Sequence, residues 1–434
     1  MEEMSWADWA RENTDPRKAH LKPEALEDVV VLDLSYGSFA GLYASSLLAE
    51  YGAKVIRIEP PEGDIARKMT PFGIKHKDTG LAYIVEGRNK YHITLDITKE
   101  KGRKLLKKLV KKADVLIETY PPGYMDELGI GYRQLRKINP QLIYCAIHSF
   151  GHFGPKAKTK MRDYDVIDQA MGGIVWTTGI PEDYEEYPEH TRVPTKLGNW
   201  MGWYVGGGFA AFGIMVALFW RRKSGKGQFI DVAPPEAMAK VTNYYIQYYH
   251  YRRKVINRVA NFDPAVFVYT LARAKDGMVF MAGFSDINFY ALTQIIGRPD
   301  LREKYPTIRE RLTPENWPVC LAEIEKWSRE RTVKEIIDAF LAYKGEGTAV
   351  AGEVLKPIET FKVENWWDRG IFQEIDDPEY GKLVVQSVVA KFEKTPGRIK
   401  WVCRRVGADN DYIYKEFLGL NKSDLEELKK EGVI

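Results

Sequence analysis

Short apolar runs alternate with helix-like stretches over the first half of the chain. Val29–Leu34 and Leu142–Ile147 are nearly continuous apolar runs, which is typical of strands buried on both faces. Further strands are predicted at Lys54–Ile58, Ala113–Glu118 and Gln228–Val232, and helices at Gly37–Glu50, Lys99–Lys112 and Tyr132–Ile138. This alternation predicts an α/β fold with a mostly parallel, doubly wound sheet.

The pattern changes after the last of these strands. Pro235–Tyr251 has the composition of one aromatic-rich helix, and residues 260–345 hold short β segments at Phe267–Leu271 and Met278–Met281 followed by amphipathic helices. Extended stretches return at Leu383–Phe392, before a charged helix at Lys422–Glu431. We therefore predict a large domain from residues 1–225 and 350–434, and a linker with a smaller domain at 226–349.

One segment has the length and composition of a membrane span. Trp200–Trp220 carries no charge and is followed by Arg221, Arg222 and Lys223. The glycine run Gly206–Gly208 would weaken a lone helix, and the rest of the chain has the pattern of a soluble protein. We expect a buried central helix here and no membrane partner.

Composition excludes several function classes. The 434 residues hold 64 basic and 60 acidic side chains in a mixed order, so no basic stripe indicates nucleic-acid binding. Cys145, Cys320 and Cys403 are far apart, and the seven histidines show no metal spacing, so no metal site is predicted. The acidic start of the chain is not a signal peptide, and we expect a cytoplasmic protein.

Candidate chemistry is sparse when the residues are taken alone. The turn from Ser35 to Gly41 lacks the GxGxxG spacing, so its small residues indicate either a phosphate site at a helix N-terminus or only a tight turn. His148 follows a predicted strand at its carboxyl end, where open α/β sheets place ligands. These observations lead only to an α/β enzyme or a ligand-binding protein.

An ordered set of segments carries a more specific resemblance. The segments are VVVLDLSYGSFAG, LLAEYGAKVIRIEPPEGDIAR, GRNKYHITLDI, KKADVLIETYPPGYMDELGIGY, INPQLIYCAIHSFGHFGP, DYDVIDQAMGG, SGKGQFIDV and GADNDYIYKEFLGL. Together and in this order they resemble the family III CoA-transferases, which include formyl-CoA transferase, the carnitine enzyme and α-methylacyl-CoA racemase. The resemblance covers nearly the whole chain.

The resemblance implies a fold and a substrate. It implies a Rossmann-like large domain built from both chain ends, a smaller α+β domain, and two chains interlinked like rings. It also implies coenzyme A or acyl-CoA as substrate, exchanged with a carboxylic acid. Positions that match family CoA contacts are Gly37, Ser38, Phe39, Leu95, Thr119, Tyr120 and Arg162, with Tyr164 and Asp165 beside the reacting thioester. Departures occur at Thr119, Tyr91 and Pro60, where members carry Asn, Arg and Arg.

The family's nucleophilic aspartate has no counterpart in this chain. The matching Gly-Asp is Gly198-Asn199, and an ungapped alignment from the SGKGQ turn places Trp203 there instead. No acidic residue lies between His190 and Arg221. The family's chemistry begins with attack of a carboxylate on an acyl-CoA thioester, and neither an amide nor an indole can replace that carboxylate.

Three hypotheses follow from this loss. The leading one is a non-nucleophilic subunit with an aspartate-bearing paralogue as partner, because the chain resembles the aspartate-less subunit of succinyl-CoA:benzylsuccinate CoA-transferase. The second is a homodimeric enzyme with a relocated nucleophile, for which the acidic loop Glu182–Glu186 is a candidate. The third is a CoA- or acyl-CoA-binding protein without catalysis.

Overall fold

The computed structural model describes residues 4–77, 79–159, 161, 163–242, 244–259, 261–263 and 266–434. The strands are β1 Val30–Leu34, β2 Lys54–Glu59, β3 Lys75–His76, β4 Thr79–Gly80, β5 Lys90–Thr94, β6 Val115–Glu118, β7 Ile143–Ile147, β8 Phe229–Val232, β9 Phe262–Asp263, β10 Val266–Arg273, β11 Met278–Ala282, β12 Val350–Glu353, β13 Phe372–Asp377 and β14 Gly381–Gln386.

The α-helices are α1 Trp6–Thr14, α2 Phe39–Glu50, α3 Leu81–Glu86, α4 Glu100–Val110, α5 Tyr124–Glu127, α6 Tyr132–Leu135, α7 Asp165–Met171, α8 Met201–Ser224, α9 Pro234–Val241, α10 Tyr245–Arg252, α11 Asp286–Ile295, α12 Asp300–Lys304, α13 Ile308–Arg311, α14 Trp317–Ser328, α15 Val333–Ala342, α16 Glu364–Asp368, α17 Asn410–Leu418 and α18 Lys422–Lys430. Short 3₁₀ turns lie at Pro16–Leu21, Ile65–Lys68, Pro71–Gly73, Lys156–Lys158, Glu189–Thr191 and Glu359–Lys362.

The chain forms two compact units. The large unit comprises Met1–Ile174, Lys196–Asn243 and Val363–Ile434, and the small unit comprises Val175–Thr195 and Tyr244–Lys362. The predicted boundaries differ in three places. Residues 226–243 belong to the large unit because α9 packs against α7 and α8, and residues 350–362 belong to the small unit because β12 pairs with β11. Residues 175–195 also belong to the small unit.

A six-stranded parallel sheet forms the centre of the large unit. Its strand order is β5-β2-β1-β6-β7-β8, so successive strands run outward from β1 in one direction and then from β6 in the other. This is the doubly wound order of a Rossmann-like sheet, and it confirms the predicted fold class. Ligands of such sheets bind at the carboxyl ends of the strands, where the order reverses between β1 and β6.

Alternate residues of the strands build two hydrophobic layers. Val31 and Val55 point into one cluster, which α2 and α8 cover, whereas Leu32 and Ile56 point into the other, which α4 and α17 help to cover. Both faces of the sheet are therefore buried. This burial explains why the apolar runs in the sequence are nearly continuous.

Strand β5 at one edge of the sheet is buried despite its polar residues. Lys90 Nζ lies 2.7 Å from the carbonyl oxygen of Leu42 and 3.4 Å from Asp33 Oδ2. His92 Nδ1 lies 2.9 Å from Glu59 Oε1. Because these polar side chains find their partners inside the unit, the strand can be buried without a hydrophobic pattern that would identify it in the sequence.

Helix α8 is half-buried rather than buried all round. Its length and composition would suit a membrane span, but half of its most apolar stretch is buried inside the unit. A Cβ at Gly207 would lie 2.4 Å from the carbonyl oxygen of Ala40, so glycine allows α8 to lie close to α2. The opposite face is exposed and apolar, and comprises Phe209, Phe212, Met215, Val216, Phe219 and Trp220. In the single chain, the expected burial of this central helix holds for the face against α2 and not for this face.

The small unit has its own core. Its antiparallel sheet has the order β12-β11-β10-β9, and helices α11, α14 and α15 contribute buried residues to the same cluster. The single helix predicted at Pro235–Tyr251 is instead two helices, α9 and α10, which belong to different units. Helix α9 ends where the Thr242 hydroxyl donates a 2.7 Å hydrogen bond to the carbonyl oxygen of Ala239.

Candidate active site

The turn after β1 is held by groups from three neighbouring segments. The amide of Tyr36 donates to Thr119 Oγ1 at 2.8 Å, and the amide of Gly37 donates to Asp64 Oδ1 at 2.9 Å. Gly37 has a φ of 65°, which favours glycine, and Ser38 caps α2 by accepting from the amide of Ala40. Of the two interpretations of this turn, the structure favours a tight turn, because an internal carboxylate already occupies the position of an anion.

A buried ion-pair network fixes that carboxylate. Asp64 is 1% exposed and accepts a short hydrogen bond from the guanidinium of Arg57, which also lies 3.2 Å from Asp33 Oδ1. Burial raises the pKa of Asp64, although the positive charge of Arg57 opposes this rise. The network therefore fixes the first turn and occupies the amide of Gly37.

A cleft lies at the carboxyl ends of β1, β2, β5 and β6. It has a volume of about 320 Å³, and we call it the tyrosine cleft. Its lining residues are Leu34, Tyr36, Ile58, Glu59, Pro60, Pro61, Glu62, Leu95, Asp96, Ile97, Thr98, Tyr120 and Tyr124. The ring of Tyr120 stacks between those of Tyr36, at 6.1 Å, and Tyr124, at 5.1 Å. The predicted CoA contacts Leu95 and Tyr120 thus meet in one cavity.

The predicted contacts Phe39 and Asp165 lie at the start of α8, which we call the α8 entrance and define as residues 198–203. Phe39 is fully buried, and its ring stacks on Trp200 at 4.4 Å and on Trp203 at 6.1 Å. Asp165 Oδ1 accepts from the amide of Trp203 at 3.0 Å, so this carboxylate holds the first turn of α8 in place. Tyr164 is 45% exposed. Arg162 lies outside the described residues.

Neither candidate for the nucleophile position offers an oxyanion. Trp203 lies in the first turn of α8 and is 3% exposed, with its ring packed against Phe39. Asn199 precedes α8, is exposed, and has a φ of 61°. Its carbonyl oxygen accepts from Gln169 Nε2 at 3.2 Å. The two positions of the alignment are therefore separate in structure, and each lacks a carboxylate of its own.

Two carboxyl groups that the sequence did not single out lie next to the α8 entrance. Asp163 Oδ1 accepts from Trp203 Nε1 at 3.2 Å, and Asp163 Oδ2 accepts from the amide of Ser149 at 3.1 Å. Asp168 is fully buried and accepts a hydrogen bond from Ser149 Oγ. Burial, together with the negative charge of Asp163, raises the pKa of Asp168 to about 8. Asp163 and Asp168 thus lie close together at the α8 entrance, and Ser149 donates a hydrogen bond to each of them.

The histidines after β7 differ in their surroundings. Burial lowers the pKa of His148, which lies at the strand end as predicted. His152 Nδ1 lies 3.1 Å from Asp231 Oδ1, and Nε2 lies 3.7 Å from Glu118 Oε1. Burial alone would lower the pKa of His152, but the two carboxylates outweigh it and raise the pKa to about 9. The two carboxylates therefore favour the protonated form of His152. The residues around His152 in the sequence do not indicate this, because both carboxylates are far away in the chain.

The acidic loop belongs to the small unit. There Glu182 pairs with the buried guanidinium of Arg258 at 2.9 Å, and the ring of Tyr184 stacks parallel to that of Trp317. These contacts give the loop a role in the packing of its own unit. In the described ranges of the chain, no group of His, Cys, Asp and Glu has the arrangement of a metal site, and all three cysteines are buried.

Comparison with known proteins defines the family. The family model described as CoA-transferase family III matches residues 26–410. The chain belongs to this family. Among solved structures, the family III chain is similar to a CAIB/BAIF family protein from Brucella suis, with a TM-score of 0.77, 28% identity, and coverage of 91% of this chain and 100% of the other.

Several curated relatives of the chain are named as succinyl-CoA transferases. One is succinyl-CoA–D-citramalate CoA-transferase of Chloroflexus aurantiacus, 32% identical over 95% of this chain and 98% of the relative. The alpha subunit of succinyl-CoA–L-malate CoA-transferase of Chloroflexus aurantiacus is 30% identical over 94% of this chain and 92% of the relative. The beta subunit of that enzyme is 27% identical over 91% and 95%. The predicted family and fold are thereby confirmed.

Proposed function

We propose that this family III chain is the non-nucleophilic subunit of a heteromeric CoA-transferase. The enzyme moves CoA from succinyl-CoA to a carboxylic acid, and the partner is a paralogue that carries the aspartate. The observation that carries the proposal is the α8 entrance, where Trp203 is packed into the core and Asn199 presents only an amide. The complex is cytoplasmic and has the interlinked form of the family.

The chemistry requires an oxyanion at this place. A carboxylate oxygen bonds to the acyl carbon of the thioester, the carbon–sulfur bond breaks, and CoA leaves as a thiolate. An amide is a far weaker nucleophile and cannot form the resulting anhydride. The partner therefore supplies the carboxylate, and this chain completes the assembly.

The exposed face of α8 supports the need for a partner. Phe212 is 67% exposed, Phe219 is 62% exposed and Trp220 is 53% exposed, all on one helix of a single chain. Such a contiguous apolar surface is typical of a protein–protein interface. The existence of alpha and beta subunits among the relatives supports a partner that is a paralogue.

Co-expression with the aspartate-bearing paralogue tests the proposal. Size-exclusion chromatography should show a stable complex, and transfer of CoA from succinyl-CoA to added carboxylic acids should require both chains. Phe212→Glu together with Phe219→Glu should abolish the complex, whereas Val389→Glu, at another exposed apolar residue of the same unit, should not. Robust turnover by this chain alone would refute the proposal. Binding of acyl-CoA without turnover in any combination would instead support a binding protein.

A second candidate is an active chain with a relocated nucleophile. The observation in its favour is Asp163, whose carboxylate is held at the α8 entrance by Trp203 Nε1 and by the amide of Ser149. If this candidate is correct, the isolated chain transfers CoA and Asp163→Asn removes that activity. The exposed Asp411→Asn is the control for the loss of one negative charge. Trapping of an acylated Asp163 peptide by mass spectrometry would identify the intermediate.

A further inference from the structure

The charge of the tyrosine cleft is opposite to what coenzyme A needs. The carboxylates of Glu59, Glu62 and Asp96 line it, and no lysine or arginine is among its described lining residues. Glu59 is neutralised inside the unit by Arg67, which donates to both of its oxygens at 2.7 Å. Glu62 and Asp96 remain, so the rim of the cleft has a net negative charge.

Two cations that follow the lining residue Thr98 in the sequence, Lys99 and Arg103, are engaged elsewhere. Lys99 Nζ donates to the carbonyl oxygens of Glu431 and Gly432 at 2.7 and 2.8 Å. It also lies 3.7 Å from Asp96 Oδ2, so it offsets part of that one charge. Arg103 donates to backbone carbonyls of the loop before α4, including that of Ile97 at 3.3 Å. Neither side chain is part of the lining.

Two backbone amides of the first turn, which could bind a phosphate in place of a cation, are also engaged. A helix N-terminus after a β-strand can bind a phosphate when its amides are free. Here the amide of Gly37 is bonded to Asp64, and that of Tyr36 is bonded to Thr119. These two amides of the first turn are therefore not free to bind a phosphate.

The nucleotide half of CoA carries a 3′-phosphate and a pyrophosphate, with a total charge of about −4 at neutral pH. Each carboxylate–phosphate pair at about 4 Å is repulsive by about 1 kcal/mol even in water. We propose that this chain's cleft does not hold CoA, and that the partner alone binds it, with one CoA per heteromeric pair. The exposed rim residues Glu62 and Thr98 are the determinants of this exclusion. The stoichiometry rests on the proposed function, whereas the exclusion from the cleft does not.

Titration calorimetry on the isolated chain tests the exclusion. CoA and pantetheine, which lacks the nucleotide, are compared as ligands. We expect CoA to bind no more tightly than pantetheine, including the case in which neither binds. Glu62→Lys with Thr98→Lys should increase the affinity for CoA at least tenfold and leave pantetheine unchanged. A control with the same change in net charge at exposed residues outside the lining, Glu416→Lys with Ser423→Lys, should have no such effect.

Two results on the isolated chain would overturn the inference. One is tighter binding of CoA than of pantetheine to the unmodified chain by tenfold or more, and the other is no gain of CoA affinity in the double lysine variant. In the purified heteromer, saturation at two CoA per pair would also contradict it. Failure of the heteromer to form would count against the proposed function alone, because the measurements on the isolated chain would still decide the exclusion.

Discussion

Adjacent glycines in α8 allow a direct test of how the large unit is packed. A Cβ at Gly207 would lie 2.4 Å from the carbonyl oxygen of Ala40 and 3.3 Å from Tyr43 Cβ, so alanine there must push α8 away from α2. A Cβ at Gly208 would meet nothing within 4 Å. The two substitutions add the same methyl group to the same helix, and they differ only in what that methyl group contacts.

The two substitutions are expected to change the free energy of unfolding in opposite directions. Overpacking by Gly207→Ala costs about 1–3 kcal/mol, and alanine's better helix propensity offsets up to about 1 kcal/mol of this cost. Because the added Cβ would meet a backbone oxygen, which cannot move aside alone, we expect a net destabilisation. Gly208→Ala should stabilise the isolated chain by up to about 1 kcal/mol, because alanine loses less backbone entropy in a helix than glycine does. Urea unfolding followed by far-UV circular dichroism measures both. Equal effects of the two substitutions, or a Gly207→Ala chain as stable as the unmodified one, would refute the packing between α2 and α8.

Three further predictions concern charge and backbone strain. Arg57→Met should lower the free energy of unfolding by about 3–5 kcal/mol, measured in urea, because Asp33 and Asp64 lose their buried partner; a loss below about 1 kcal/mol would contradict the network. Burial raises the pKa of Asp168 to about 8, so the folded chain keeps a proton on this carboxyl group at a pH where the unfolded chain has already released it. The folded chain therefore loses stability as the pH rises toward about 8. Asp168→Asn should remove that loss in urea titrations at about pH 6 and about pH 8, and an unchanged slope would contradict the raised pKa. Asn199 has a positive φ, so Asn199→Val should lower the free energy of unfolding by about 1–2 kcal/mol, measured by thermal unfolding, whereas Asn199→Gly should be nearly neutral. Equal effects of the two substitutions would show that the backbone there adapts.

The sequence predicted the central sheet well because burial on both faces leaves a strong signal. The strand predicted at Lys54–Ile58 is observed at Lys54–Glu59, and the one predicted at Leu142–Ile147 is observed at Ile143–Ile147. Strand β5 has no such signal, since Lys90 is buried through an ion pair with Asp33 and His92 through a hydrogen bond with Glu59, and both partners are far away in the chain. Hydrophobic periodicity cannot detect a strand whose burial depends on distant polar partners.

The candidate site was predictable only as far as the family resemblance reached. The resemblance identified the first turn and the start of α8 as parts of the site, and it indicated that a carboxylate is missing at the start of α8. The hydrogen bond between Trp203 and Asp163 joins residues far apart in the sequence, and no local pattern reports it. The same holds for Asp64 at the amide of Gly37. Both contacts depend on how loops meet at one edge of the sheet.

The open side of β5 has a consequence for biosynthesis. Its amides at His92 and Thr94 are satisfied by the side chains of Asp409 and Asn410, and the side chain of Asn89 accepts from the amide of Lys400. These partners emerge from the ribosome only after the whole small unit has been translated. Until then the nascent chain presents an unpaired strand edge, which is a template for aggregation. Chaperones should therefore bind the nascent chain mainly in the period between the synthesis of β5 and the synthesis of Asp409 and Asn410.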